Sequence, residues 1–95
     1  MPAYAIFIRD RLRDPEEFAI YSKKGREARG DHKLTPLAFY GAHETWEGAE
    51  ADGVVVLQFP TMDEARAWYT SEGYQAAKVH RDRAADYRVV LVEGL

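Results

Sequence analysis

Gly53-Val54-Val55-Val56-Leu57-Gln58-Phe59-Pro60-Thr61-Met62-Asp63-Glu64 decides the fold. Seven residues rich in β-branched and aromatic side chains form a strand, and Pro60 ends it. Thr61 and Glu64 then stand three apart as a capping box, so a helix starts without a long linker. Alternation within the strand sets Val55, Leu57 and Phe59 against Val54, Val56 and Gln58. Both sets are apolar enough to require cover.

The same unit recurs upstream. Ala3-Tyr4-Ala5-Ile6-Phe7-Ile8 is a strand with two apolar faces. Asp14-Pro15-Glu16-Glu17 supplies an N-cap, a proline at the first helical position and a capping glutamate. Phe18, Tyr21, Gly25 and Ala28 follow on one helical face, and Gly30 is a stop. After Thr61 the helix presents Ala65, Trp68 and Tyr69, and Ser71 caps a further helix carrying Tyr74, Ala77, Ala84 and Ala85. Tyr87-Arg88-Val89-Val90-Leu91-Val92 closes the chain as a strand. Between the two units, Leu34 to about Trp46 reads as one long strand bent at Gly41, the alternative being a tight hairpin there. Pro36 places it at a sheet edge.

The order is therefore β-α-β-β-α-β. Right-handed crossovers put the helices on one face of a four-stranded antiparallel sheet. This is the ferredoxin-like α+β plan, in a single domain over residues 1–95. The sheet face without helices should be polar if it meets water. Instead it carries Tyr4, Ile6, Ile8, Val54, Val56, Val90 and Val92 or their opposites, because neither face of these strands is solvent-like. A 95-residue chain buries only about 60–65% of its unfolded surface alone, and with no cysteine it has no disulfide to help. Packing two such faces together predicts a homodimer.

The formal charge of −3 gives no basic face for a nucleic acid. No apolar run approaches the roughly 20 residues that cross a bilayer. The first apolar stretch is too short for a signal peptide, so a cytoplasmic location is expected. His32, His43 and His80 have no ligand spacing, and no phosphate loop, dinucleotide fingerprint or nucleophile elbow is present. Neither metal nor cofactor is expected.

Several strings carry a resemblance: Pro2-Ala3-Tyr4, Asp14-Pro15, Glu47-Gly48, Phe59-Pro60, Ala67-Trp68-Tyr69-Thr70-Ser71, Tyr74-Gln75-Ala76 and Val90-Leu91-Val92-Glu93-Gly94. Together they resemble the bacterial family of domain of unknown function 1330 over essentially the whole chain. The resemblance implies a dimeric α+β barrel, in which two sheets pack face to face. Relatives in that wider group include cofactor-independent oxygenases, muconolactone isomerases and haem-dependent enzymes, while this family has no assigned reaction. Many members carry Arg-Gly-Gly in the second strand. Here Phe39-Tyr40-Gly41 stands in its place, so no role of that arginine transfers.

Six residues are candidates for a ligand site between sheet and helices. Arg81 lies within an apolar helical arc, where a charge must be paired, solvated at its tip or used. It would suit a carboxylate; the plainer alternatives are snorkelling or an ion pair with an acid such as Asp86. Gln58 is an amide on a central strand, able to orient a ligand or to meet its symmetry mate. Tyr69, with Trp68 and Tyr74, belongs to the core or lines a pocket. Tyr40, His43 and Trp46 sit on the bent strand, where an opening is plausible and His43 is a general-base candidate. The sequence thus points to a homodimer binding a small, partly aromatic or anionic metabolite. The alternative is a non-catalytic dimerisation module, supported by Ile20 on the outer side of the first helix.

Overall fold

The computed structural model describes residues 1–95. Strand β1 (Ala3–Leu12) leads to helix α1 (Pro15–Ala28), then to strands β2 (Thr35–Phe39) and β3 (Gly53–Phe59). Helices α2 (Met62–Tyr69) and α3 (Glu72–Ala84) follow, and strand β4 (Ala85–Glu93) ends the fold. The antiparallel sheet runs in the order β2-β3-β1-β4. The expected order of elements and the edge position of β2 both hold.

The starts of the helices follow their side chains. Asp14 accepts from the Glu16 and Glu17 amides, Thr61 from Glu64 and Ser71 from Tyr74, each satisfying donors that the first turn leaves free. The end of α3 runs into β4 without a loop. Arg13 closes it by donating to the carbonyls of Asp82 and Arg83 while pairing with Asp86. A cation at a helix C-terminus complements its exposed carbonyls.

Alternation along β1 and β3 places Ala3, Ala5, Phe7, Val55, Leu57 and Phe59 under the helices, where all are buried. Trp68 and Tyr74 pack on them from α2 and α3. The opposite face carries Tyr4, Ile6, Ile8, Val54 and Val56, all only partly covered, and beside them Val90 and Val92, 52% and 45% exposed. No helix or loop shields this face in the single chain.

The second strand differs from the expectation. It ends at Phe39, and Tyr40 takes a left-handed backbone (φ 55°), a conformation uncommon outside glycine. The irregularity in pairing falls between Pro36 and Ala38 rather than at Gly41. Residues 41–52 form a loop, not a continued strand. The loop is held by His43, which bonds the carbonyls of Gly41 (3.1 Å) and Ala51 (2.9 Å), and by the Thr45 hydroxyl accepting from the Ala51 amide. These local bonds offer the backbone an alternative to the ladder.

Candidate functional site

Helix α1 packs on α3 and contains no fully buried residue. Between its inner side, the edge strand β2 and the core lies a cavity of about 150 Å³. Its floor is Phe7, Val55, Leu57 and Trp68; Leu34, Pro36, Phe39 and Tyr40 form the β2 side. Tyr21, Ser22, Gly25 and Arg26 of α1, its C-cap Arg29 and Tyr74 of α3 complete it. An apolar cavity of this size takes a molecule of about one aromatic ring.

The left-handed turn at Tyr40 shapes the β2 side. It breaks the in-out alternation, so that consecutive rings of Phe39 and Tyr40 both face the cavity, edge to face at 4.9 Å. Gly53 makes room for this: a Cβ there would lie 2.7 Å from Tyr40 Cδ1. The Arg9 guanidinium stacks on Tyr40 (4.8 Å) and Phe18 (5.0 Å) while its Nε donates to Asp52. Phe18 also meets Tyr40 edge to face at 5.8 Å.

Three of the cavity's lining residues, Tyr21, Tyr74 and Tyr40, belong to two hydroxyl pairs. The hydroxyls of Tyr21 and Tyr74 lie 2.9 Å apart, and those of Tyr40 and Tyr87 lie 2.5 Å apart. Arg81, 5% exposed, donates from Nη1 to the Tyr74 hydroxyl at 3.1 Å. Its guanidinium lies 5.5 Å from the Tyr87 ring and 5.9 Å from the Phe7 ring, so cation–π attraction supplements the bond. Burial pushes the Tyr21 and Tyr40 phenols far above their ordinary range and raises Tyr74 as well; all three stay protonated at neutral pH. Burial works against the charge of Arg81, but the oxygens of Tyr74 and Tyr21 outweigh it, and the net shift is upward.

Of the six sequence candidates, Tyr40 lines the cavity. Arg81 stands behind it, one hydrogen bond away through Tyr74. Its acidic neighbour is Asp82 at 3.5 Å; Asp86 instead pairs with Arg13, because Asp86 already belongs to β4. Tyr69 packs against the rings of Trp68 and Tyr74 outside the cavity lining. Gln58, opposite Tyr4 and Thr35, falls by alternation on the helix-free face. His43 and Trp46 lie in the 41–52 loop, exposed, Trp46 by 87%. They left the site when the strand ended at Phe39. With both ring nitrogens against carbonyl oxygens, His43 is a loop clip rather than a free base. No group of three or more His, Asp or Glu side chains converges.

Sequence reasoning placed Tyr21 and Gly25 on the inner face of α1 without assigning them to a site. It missed Leu34, Arg26 and Phe39. The readable signal was Gly25: a glycine in mid-helix costs roughly 0.5–1 kcal/mol relative to alanine, and here a Cβ would meet nothing within 4 Å.

Strand order and a helical layer on one face define a ferredoxin-like α+β fold. Within it, the chain belongs to the family described as domain of unknown function (DUF1330), whose model matches residues 2–95. Among solved structures, the RPA0582 protein of unknown function from Rhodopseudomonas palustris is similar at 18% identity and a TM-score of 0.73, covering 99% of this chain and 82% of that one. A dimeric ferredoxin-like protein of unknown function from Thermobifida fusca gives 17% identity and a TM-score of 0.66, with 97% and 90% covered. SnoaB, a cofactor-independent oxygenase from Streptomyces nogalater, gives 11% and 0.60, with 99% and 91% covered. Likeness at these identities concerns the fold. No curated protein matches the sequence. No helix is long and apolar enough to cross a membrane.

Proposed function

We propose that the protein is a homodimer that binds a small, partly aromatic or anionic metabolite in the cavity beneath α1. The observation that carries this reading is the cavity itself: apolar walls, a few polar groups, and a mid-helix glycine whose missing side chain leaves it room. Gly25 weakens α1 and relieves no clash, so the open space is what it provides. Arg26, exposed and in no ion pair, stands on the lining beside Arg29 and favours an anionic group near the entrance.

The homodimer reading rests on the partly covered apolar sheet face, since contiguous exposed apolar surface marks an interface. The dimeric relatives from Thermobifida fusca and Bacteroides fragilis are consistent with it. Ile20 is 41% exposed with no accompanying apolar patch on α1, and a lone exposed isoleucine is ordinary; a recruiting surface finds no support there.

Titration of isotope-labelled protein with toluene and with benzoate tests the cavity. Saturable amide shifts at Leu34, Val55 and Leu57, abolished by Gly25→Leu in a folded variant, are expected. If neither probe saturates those amides at millimolar concentration, the cavity does not bind such ligands and the proposal fails.

A further inference from the structure

The polar groups around the cavity are unbalanced. Its lining contains no carboxylate, no carboxamide and no imidazole. Donors are plentiful. Trp68 is 4% exposed, lines the cavity, and its Nε1–H makes no hydrogen bond within the protein. An indole N–H can only donate, and a buried donor without a partner is rare in native structures.

The Tyr21–Tyr74 pair adds a second donor by simple counting. Two hydroxyls carry two protons. One proton occupies the bond between them at 2.9 Å. Arg81 donates into the Tyr74 oxygen and, as a guanidinium, accepts nothing. One phenolic O–H is therefore left over, whichever tyrosine carries it, and both tyrosines line the cavity. The buried cation on the far side of Tyr74 polarises that hydroxyl and strengthens it as a donor.

We propose that the inner end of the cavity is a receptor for a carbonyl or oxyanion oxygen on a one-ring aromatic ligand. Trp68 Nε1–H and the free proton of the Tyr21–Tyr74 pair are its two donors, and Arg81 acts through Tyr74 as a positioning residue. This deepens the small-molecule reading above and rests on it. It assigns the acceptor oxygen to the buried end of the ligand, away from Arg26. A ligand carrying only donors, such as an arylamine, would leave Trp68 and the phenol unmatched, and a pure hydrocarbon would do the same.

Acetophenone and α-methylstyrene separate the two proposals, because they share a shape and differ by C=O against C=CH2. Binding is read by calorimetry and by the indole N–H signals in a nitrogen–proton correlation spectrum. The chain has two tryptophans, and Trp46, 87% exposed, is the internal control. We expect acetophenone to bind about tenfold more tightly than α-methylstyrene, the worth of roughly one buried hydrogen bond. The Trp68 indole proton should move downfield with acetophenone alone, while Trp46 stays still. Trp68→Phe should reduce the preference, and so should Tyr21→Phe combined with Tyr74→Phe, because either single phenol variant still leaves one O–H without a protein acceptor; the double phenol variant serves if the tryptophan variant does not fold. Equal affinities with no selective Trp68 shift would overturn the acceptor receptor and leave the cavity reading standing. Binding of neither compound would overturn both.

Discussion

Tyr74→Phe isolates the buried contact between Arg81 and the tyrosine pair. The ring stays, with its centroid 4.2 Å from that of Trp68, and only the hydroxyl is removed. Tyr74 is 1% and Arg81 5% exposed, so water cannot readily replace the lost oxygen. Two bonds go: the one from Arg81 Nη1 at 3.1 Å and the one to Tyr21 at 2.9 Å. A hydrogen bond to a charged group contributes about 1.5–3 kcal/mol and a neutral one about 0.5–1.5 kcal/mol. Arg81 keeps Asp82 and the face of Tyr87, which softens the loss. The expected destabilisation is about 2–3 kcal/mol, or a fall in Tm of roughly 10–15 °C for a chain of this size. Tyr21→Phe removes only the neutral bond and should cost about 1 kcal/mol. Urea unfolding at one fixed protein concentration measures both, with the slope m unchanged. Adding Arg81→Met to Tyr74→Phe removes the stranded charge, so the double variant should be less destabilised than the sum of the singles by at least about 1 kcal/mol. Equal costs for Tyr74→Phe and Tyr21→Phe, with additive behaviour in the double variant, would refute the claim that the phenol satisfies a buried cation.

Other perturbations act on separate features. Val56→Lys puts a charge on the helix-free face without touching the core, and sedimentation should show monomer with unchanged far-ultraviolet circular dichroism; an unchanged dimer would rule that face out as the interface. Gly53→Ala sets a methyl group 2.7 Å from Tyr40 Cδ1 and should cost about 1–3 kcal/mol as overpacking. Gly25→Ala should instead stabilise by about 0.5–1 kcal/mol, and urea midpoints moving in the same direction would contradict the geometry around one of them. The carbonyls of Gly41 and Ala51, aided by Glu50 and Asp52, raise the His43 pKa above its ordinary 6.5. Protonated His43 donates to both carbonyls, so its hold on the 41–52 loop is full below 6.5 and fades as pH rises through the raised value. Hydrogen exchange in the loop should accelerate over that window, and His43→Ala should remove the dependence.

The fold was legible because its signals are local and mutually consistent. Capping residues at Asp14, Thr61 and Ser71 fix where helices start, and period-two patterns at Ala3–Ile8 and Gly53–Phe59 fix the strands. Pro36 marks an edge for a covalent reason, its missing N–H. Where the reading of β2 failed, the deciding fact was a backbone state that the side chain does not announce. Tyr40 is β-favouring by type, yet it adopts the left-handed region, held by its stacking on Arg9 and Phe18 and by the room at Gly53. Those partners are distant in sequence, and no local pattern encodes them.

The candidate site shows the same limit from the other side. A cavity is a place without atoms, and its main trace in the sequence is a side chain that is smaller than its surroundings permit. Gly25 is such a trace, but it becomes interpretable only once α1 is seen to rest on α3 with space beneath it. Arg81 looked like a ligand-facing charge because it interrupts an apolar arc. The chain uses that charge one bond further back: Arg81 donates to Tyr74 and accepts nothing, so the spare proton of the Tyr21–Tyr74 pair is left for the proposed oxygen acceptor. A buried cation can therefore shape a binding site for an oxygen acceptor without touching the ligand, and the residue to mutate for recognition is the phenol or indole in front of it, not the arginine that first draws the eye.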